Sequence, residues 1–294
     1  MKKGIAIALG FLLLITAIVY LNVRQGKQVG VIKNSLSGKI TFPVGKDELY
    51  VLRLPSMQLD AVQLNGYHFV FPSYPSWSPD GKKIALSHDK ENVGILTILD
   101  LVNNKAEEFS KINLNCDYIS WSPSGEYIAF LGSPITSKQN NYRLYVLATN
   151  SKQYHPVSDL AAGPYRPSWS PDSSKIAFST ADNRIFIVDA SGTKKPELII
   201  SFGASPAWSP DGKFLVYRAR YSCYLYDLQK KSEQELISNL GFSDVRDFAW
   251  SPDGKSILFK KLTEGYSPLE VIMIKDKTRI ALKEFGNLRG FDWK

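Results

Sequence analysis

All six tryptophans of this 294-residue chain stand at one phase of a single repeat: Trp77, Trp121, Trp169, Trp208, Trp250 and Trp293, separated by 44, 48, 39, 42 and 43 residues. A period of about 40 residues, with turn residues at a constant offset from a large aromatic, describes a radial array of small sheets, one per repeat. The expected fold is all-β, a β-propeller.

Five of the tryptophans open nearly the same string: Trp77-Ser78-Pro79-Asp80-Gly81, Trp121-Ser122-Pro123-Ser124-Gly125, Trp169-Ser170-Pro171-Asp172-Ser173, Trp208-Ser209-Pro210-Asp211-Gly212 and Trp250-Ser251-Pro252-Asp253-Gly254. Each precedes a short apolar run such as Ile84-Ala85-Leu86 or Ile176-Ala177-Phe178, so the string reads as the hairpin turn between two strands. Proline supplies the fixed φ of the first central position, aspartate tolerates the second, and glycine takes a left-handed position. The ring of Asp80, Asp172, Asp211 and Asp253 is therefore read as turn chemistry rather than as metal ligands. Ser173 stands where the others have glycine; a left-handed serine costs about 1 kcal/mol, so a looser turn is expected there.

Trp293 is the penultimate residue, and its strand has no following turn. The missing partner lies at the other end of the repeat region, where Ser37 to Phe42 matches the segment after each turn. Residues 48–54 and 61–64 fill the third and fourth strand slots. Six blades follow, one of them built from a C-terminal innermost strand and three N-terminal strands. Such closure removes the open sheet edge. Third strands are expected at 94–100, 142–147, 184–189, 223–227 and 269–274, and outer strands at positions such as 105–109 and 278–282.

The Trp-Ser-Pro-Asp-Gly-Lys-x-Ile-Ala-Phe pattern resembles the WD40-like repeats of the TolB propeller family over residues 37–294. The resemblance implies a six-bladed propeller that binds protein partners at the cell envelope. TolB also carries an α/β domain ahead of its propeller, for which the dozen residues before position 37 leave no room.

Met1-Lys2-Lys3 precedes an uncharged, largely apolar stretch from Gly4 to Val23, which ends at Arg24. Twenty residues span about 30 Å as a helix, enough to cross a bilayer. No small-x-small cleavage site and no lipid-accepting cysteine follows, so residues 1–24 are read as an uncleaved transmembrane signal-anchor and residues 25–36 as a polar tether. The basic N-terminus favours the cytoplasm, which puts the propeller on the extracytoplasmic side of a single-pass membrane protein.

Of the net charge of +8, four positive charges lie in the first 30 residues, so the propeller carries only +4. No basic run interleaved with aromatics appears, which argues against nucleic acid. Cys116 and Cys223 fall in different blades, too far apart for a disulfide, and are expected as two buried thiols. No catalytic motif, cofactor motif or metal-ligand set is evident. Of the three histidines, His68 and His88 could reach one face, as in propeller lyases that act on pectic sugars.

Recognition is expected at the mouth of the central channel, where the loops that lead into the innermost strands meet the second-to-third strand loops. The variable residues there, Tyr74, Asp117, Tyr118, Tyr165, Arg166, Arg246, Asp247 and Arg289, mix the side chains that suit recognition at a concave mouth. A structural alternative is that Arg166, Arg246, Asp117 and Asp247 pair with one another across the channel. The residues just before each tryptophan, Ser76, Ser120, Ser168, Ala207, Ala249 and Asp292, are short, as crowding near the axis requires. The sequence thus describes a membrane-anchored, non-enzymatic scaffold for a protein or a cell-envelope polymer. A carbohydrate-active propeller enzyme and an accessory sensor domain stand as alternatives, and the oligomeric state is left open.

Overall fold

The structure, a computed structural model, describes residues 36–44, 48–63, 73–136, 141–238, 245–261, 267–285, 288 and 290–294. The apolar segment and tether expected ahead of the propeller lie outside them. Among the described residues no helix is long and apolar enough to cross a membrane.

The described residues form six antiparallel four-stranded sheets. Blade 1 takes β1 (Gly38–Val44), β2 (Glu48–Leu54) and β3 (Gln58–Ala61). Blade 2 takes β4 (Ser73–Trp77), β5 (Lys83–Lys90), β6 (Val93–Asp100) and β7 (Lys105–Glu108). Blade 3 takes β8 (Leu114–Trp121), β9 (Tyr127–Pro134), β10 (Arg143–Ala148) and β11 (Tyr154–Pro156). Blade 4 takes β12 (Ser168–Trp169), β13 (Lys175–Ser179), β14 (Ile185–Asp189) and β15 (Glu197–Ile200). Blade 5 takes β16 (Ala204–Trp208), β17 (Phe214–Ala219), β18 (Ser222–Asp227) and β19 (Ser232–Ile237). Blade 6 takes β20 (Val245–Trp250), β21 (Ser256–Lys261), β22 (Ser267–Met273) and β23 (Arg279–Phe285). The last strand, β24 (Asp292–Trp293), returns to blade 1 as its innermost strand.

That return closes the ring as the repeat phase requires. Ile40 pairs with Trp293 and Thr41 with Asp292, and main-chain bonds link Lys39 and Lys294 in both directions, at 2.5 and 2.8 Å. Gly38 sits at φ +105°, and a Cβ there would stand 2.3 Å from the Lys294 carbonyl, so the seam admits no side chain at this position. The Trp293 indole donates to Ser37 O at 2.9 Å and joins Leu36, Ile40, Phe42 and Leu52 in the core between blades 1 and 6.

The Ser-Pro-Asp-Gly string is a hairpin held by its own side chains. In blade 2 the Gly81 N–H donates to Ser78 O at 2.9 Å, the Lys83 N–H to Ser78 Oγ at 2.9 Å, and the Ser78 hydroxyl to Asp80 Oδ1 at 2.6 Å. Asp80 also accepts the Lys82 N–H at 3.0 Å. The Ser78 hydroxyl and the Lys82 N–H hold the Asp80 carboxyl below the ordinary carboxylate range. These carboxylates are committed to the turn.

Ser173 does not loosen its turn. It adopts φ 61°, and its N–H donates to Ser170 O at 2.9 Å, within the 2.9–3.0 Å of the glycine turns. The strain has a local counterweight, because Ser173 Oγ accepts the Ser124 N–H of blade 3 at 2.9 Å. The fourth strand of blade 1 also differs from expectation. A tight turn at 55–57, with Met57 at φ 57°, starts it three residues early, and β3 covers 58–61 rather than 61–64. Strand aromatics pair mainly within blades: Phe130 with Tyr145, Phe178 with Phe186 and Tyr217 with Tyr224 are cross-strand neighbours with ring centroids 5.5, 6.3 and 5.5 Å apart. Both cysteines are buried and unbridged, as expected.

Two stability outcomes follow from this geometry. Trp293→Ala removes a buried indole from the seam and should cost about 3–5 kcal/mol in urea unfolding of the whole propeller; a loss below about 1 kcal/mol would show that the seam is dispensable. Ser173→Gly exchanges strain against a hydrogen bond and should stay within about 0.5 kcal/mol of the parent, whereas Ser173→Ala keeps the strain, loses the bond and should cost about 1–2 kcal/mol.

Candidate functional site

Innermost strands line the axis, so the position of each residue before tryptophan decides what the channel presents. One residue before it, the short side chains do more than relieve crowding. Asp292 Oδ2 accepts the Trp77 N–H at 2.8 Å, Ser76 Oγ the Trp121 N–H at 2.9 Å and Ser168 Oγ the Trp208 N–H at 2.8 Å. Where Ser120 and Ala207 occupy the position, the next blade's indole reaches back instead: Trp169 Nε1 donates to Ser120 O and Trp250 Nε1 to Ala207 O, both at 3.0 Å. Every junction from blade 1 round to blade 6 therefore carries a hydrogen bond from a tryptophan.

Three residues before tryptophan, the backbone turns left-handed. Tyr74, Tyr118, Ser205, Asp247 and Gly290 have φ of 48, 52, 54, 62 and 88°, and the pairing of β4, β8, β16 and β20 with their neighbours slips at that point. Each is a β-bulge that re-aims one side chain, at a strain of about 1–3 kcal/mol for a non-glycine residue. Blade 4 departs from the pattern. Arg166 is followed by Pro167, and the strand keeps only Ser168–Trp169.

The bulges bring part of the expected channel-mouth set together. The Tyr74 and Tyr118 rings lie 4.1 Å apart, and Tyr142 meets Tyr118 edge-on at 5.6 Å. Asp117 accepts from the Tyr142 hydroxyl at 3.2 Å and from Ser73 Oγ at 3.4 Å. Burial, and then the nearby Asp247 carboxylate, push the Tyr74 phenol well above its ordinary pKa. Tyr142 is raised by burial and by Asp117. Gly290 is where this cluster needs a glycine, since a Cβ would stand 2.8 Å from the Tyr74 ring. The result is an aromatic cluster at the loop end of blades 2 and 3, held by the half-buried Asp117 and near the buried Asp247.

Other members of the set go elsewhere. Tyr165 accepts a hydrogen bond from Arg218 at 2.6 Å, with the guanidinium 5.1 Å over its ring. Arg166 crosses the axis from blade 4 to the opposite blade 1, donating to Phe291 O at 2.8 Å and to Asp292 Oδ1 at 3.2 Å. The expected mutual pairing of Arg166 with Asp117 or Asp247 is thus corrected: its carboxylate partner is Asp292, because the missing bulge in blade 4 leaves the side chain directed at the seam. Arg246 pairs through its backbone with Lys260, and its side chain lies outside the described residues, as does Arg289.

The channel encloses about 450 Å³. Tryptophan edges, turn prolines and serines line it, with Arg166, Asp247 and Asp292 as its charged members and Lys294 at the rim. The volume reaches from the turns to the bulge positions Ser205 and Asp247, and Tyr74 and Tyr118, expected at the mouth, are not part of its lining. Asp292 was the residue that the sequence reading undervalued. Its signal was that it is the one acid in a column of serines and alanines.

Nothing in this set combines a nucleophile with an accessible base. The Cys116 and Cys223 thiols are each pushed up to about 12 by burial. His88 is 3% exposed, with Nδ1 3.0 Å from Thr97 Oγ1 and Nε2 3.6 Å from Glu108. His68, its suggested companion, lies outside the described residues, and among those described no three metal-ligating side chains cluster.

Since Arg166 and Asp292 join opposite blades in a half-buried pair, Arg166→Ala should cost about 1.5–3 kcal/mol of unfolding free energy. The double variant with Asp292→Asn should cost measurably less than the sum, by about 0.5–3 kcal/mol of coupling. Strict additivity would show that the pair is incidental.

Three comparisons bear on kinship. At the level of fold, the chain superposes on TolB from Acinetobacter baumannii with a TM-score of 0.73 and 20% identity, over 87% of this chain and 66% of that one. A chain of a nidogen/laminin complex gives 0.68 at 10% identity over 87% and 98%. An oligogalacturonate lyase in complex with manganese gives 0.54 at 12% identity over 85% and 75%. By sequence, the chain is 24% identical over 200 residues to the Uncharacterized protein Atu1656 of Agrobacterium fabrum, covering 62% of this chain and 64% of that protein. It thus spans just under two thirds of the length of that protein and of the Acinetobacter TolB. Residues 72–293, which carry all six tryptophans, match the TolB beta propeller domain, and the chain belongs to that family.

Proposed function

We propose that this chain is a non-enzymatic scaffold, anchored in a membrane through its N-terminal segment with the propeller on the extracytoplasmic side, that holds a protein or an envelope polymer on the loop face of the propeller. The loop face is the end of the channel opposite the Ser-Pro-Asp-Gly turns. The observation that carries the reading is a patch of exposed aromatics there. Phe202, in the loop before β16, is 52% exposed, and Tyr221, between β17 and β18, is 57% exposed. The loop of Phe202 is fixed to the neighbouring hairpin by the Gly203 N–H, which donates to Asn183 O at 2.7 Å. Arg184 and Arg220 stand on the same face, and Ile135 extends it in blade 3. Tyrosine, phenylalanine and arginine on rigid hairpins are the residues that dominate protein interfaces.

Membership of the TolB propeller family supports a protein-binding role. His88, the histidine of that face among the described residues, is buried beside Thr97 rather than presented to the channel.

Reversible crosslinking in native membranes, followed by capture of the full chain, tests this. The double variant Phe202→Ser with Tyr221→Ser should lower partner recovery by about tenfold or more, as loss of two aromatic anchors at about 1 kcal/mol or more each predicts, at unchanged thermal stability. Equal recovery from parent and variant would overturn the loop-face assignment.

A further inference from the structure

We infer that the opposite, turn face of the propeller is a lipid-facing surface that seats on the anionic headgroups of the bilayer; the inference rests on the anchored reading above. Two observations on described residues carry it. The first is where the charge sits. The turn between β14 and β15 carries Lys194 and Lys195, that between β18 and β19 Lys230 and Lys231, and that between β22 and β23 Lys275 and Lys277, all exposed. These six lysines form a crescent over three consecutive blades. Lys194 and Lys230 lean on Asp189 and Asp227 at 3.1 and 3.4 Å, whereas Lys195, Lys231 and Lys275 have no ion pair among the described residues. The inner-turn aspartates keep their charge, and Asp211 and Asp253 face Lys213 and Lys255 of their own hairpins at 3.7 and 3.5 Å; at the three outer turns six lysines stand against Asp189, Asp227 and Asp276, a net +3. On the loop face, the described acids Asp89, Glu91, Asp159 and Asp182 stand against Lys90, Lys111, Arg143, Arg184 and Arg220, a net +1.

The second observation is where the chain leaves the propeller. Leu36 is buried in blade 1, and Ser37 O holds the Trp293 indole at the turn end of the axis, so the described chain begins at the turn face. The eleven residues 25–35 reach at most about 40 Å, and about 20 Å as a flexible coil. A bilayer spanned by residues 4–23 therefore faces the turns, and its negative surface potential draws on the lysine crescent within a Debye length of about 8–10 Å. Val102, exposed at 67% on the β6 to β7 turn, gives the same face an apolar contact. A surface of lysines without arginine forks suits a diffuse layer of phosphates rather than one bidentate ligand.

The test is amine acylation of the full chain reconstituted into vesicles of phosphatidylcholine alone or with about 30% phosphatidylglycerol, read residue by residue by mass spectrometry. Lys195, Lys231 and Lys275 should label about threefold or more slowly in the anionic vesicles, recover at about 0.5 M salt, and leave Lys111 unchanged. Equal labelling in both lipids while the chain floats with both would overturn the inference and leave the anchor standing. Flotation with anionic vesicles alone, with the same lysines protected, would remove the anchor and keep the lipid face. Equal protection by soluble polyphosphate at matched phosphate concentration would assign the face to a polymer and overturn the lipid assignment.

Discussion

The structure depends on two residues of β24 finding β1. Without the pairing of Ile40 with Trp293 and Thr41 with Asp292, blade 1 would expose an unpaired edge to the channel and blade 6 would have an uncovered face. The contact joins positions more than 250 residues apart, so its formation carries the largest loop-closure cost in the chain. Asp292 concentrates what holds it. Its backbone lies in the seam, one carboxylate oxygen accepts the Trp77 N–H of the next blade, and the other accepts Arg166 from across the axis. A serine could take over acceptance of the Trp77 N–H, as Ser76 and Ser168 do for the blades after theirs, but the ion pair to the guanidinium needs a carboxylate.

The repeat string and the axial bulges are two solutions to different local problems. The turn satisfies its own backbone groups through the serine hydroxyl and the aspartate carboxylate, which is why it recurs with so little variation. The bulges instead hold strain, with four non-glycine residues in the left-handed region around one axis. They persist where neighbours hold them: the Tyr118 ring packs on Tyr74, and the Ser205 N–H donates to Ser179 Oγ at 3.1 Å. Their effect is to gather tyrosines at the loop end of blades 2 and 3.

The two faces differ in chemistry. Exposed Phe202 and Tyr221 stand with arginines on the loop face, and exposed lysines crowd the outer turns of blades 4 to 6. On the function proposed above, partner and membrane would meet opposite faces and would not compete for the same area.

Much of this was legible beforehand, because a repeat reports itself. Tryptophan spacing, Ser-Pro-Asp-Gly chemistry and the orphaned half-repeat at Trp293 determined blade number, turn positions and the closing seam, since each depends on local backbone preference or on counting. The sequence also marked the axial positions as variable, but not as left-handed. It did not reveal that Arg166 would reach Asp292, that Tyr74 and Tyr118 would stack over Gly290, or that Ser173 would find a partner in Ser124. Those contacts bring together residues from different blades, and only the packing of the closed ring sets which side chains meet. Local periodicity decides where strands and turns fall; the shape and sign of each face emerge only when six sheets share one axis.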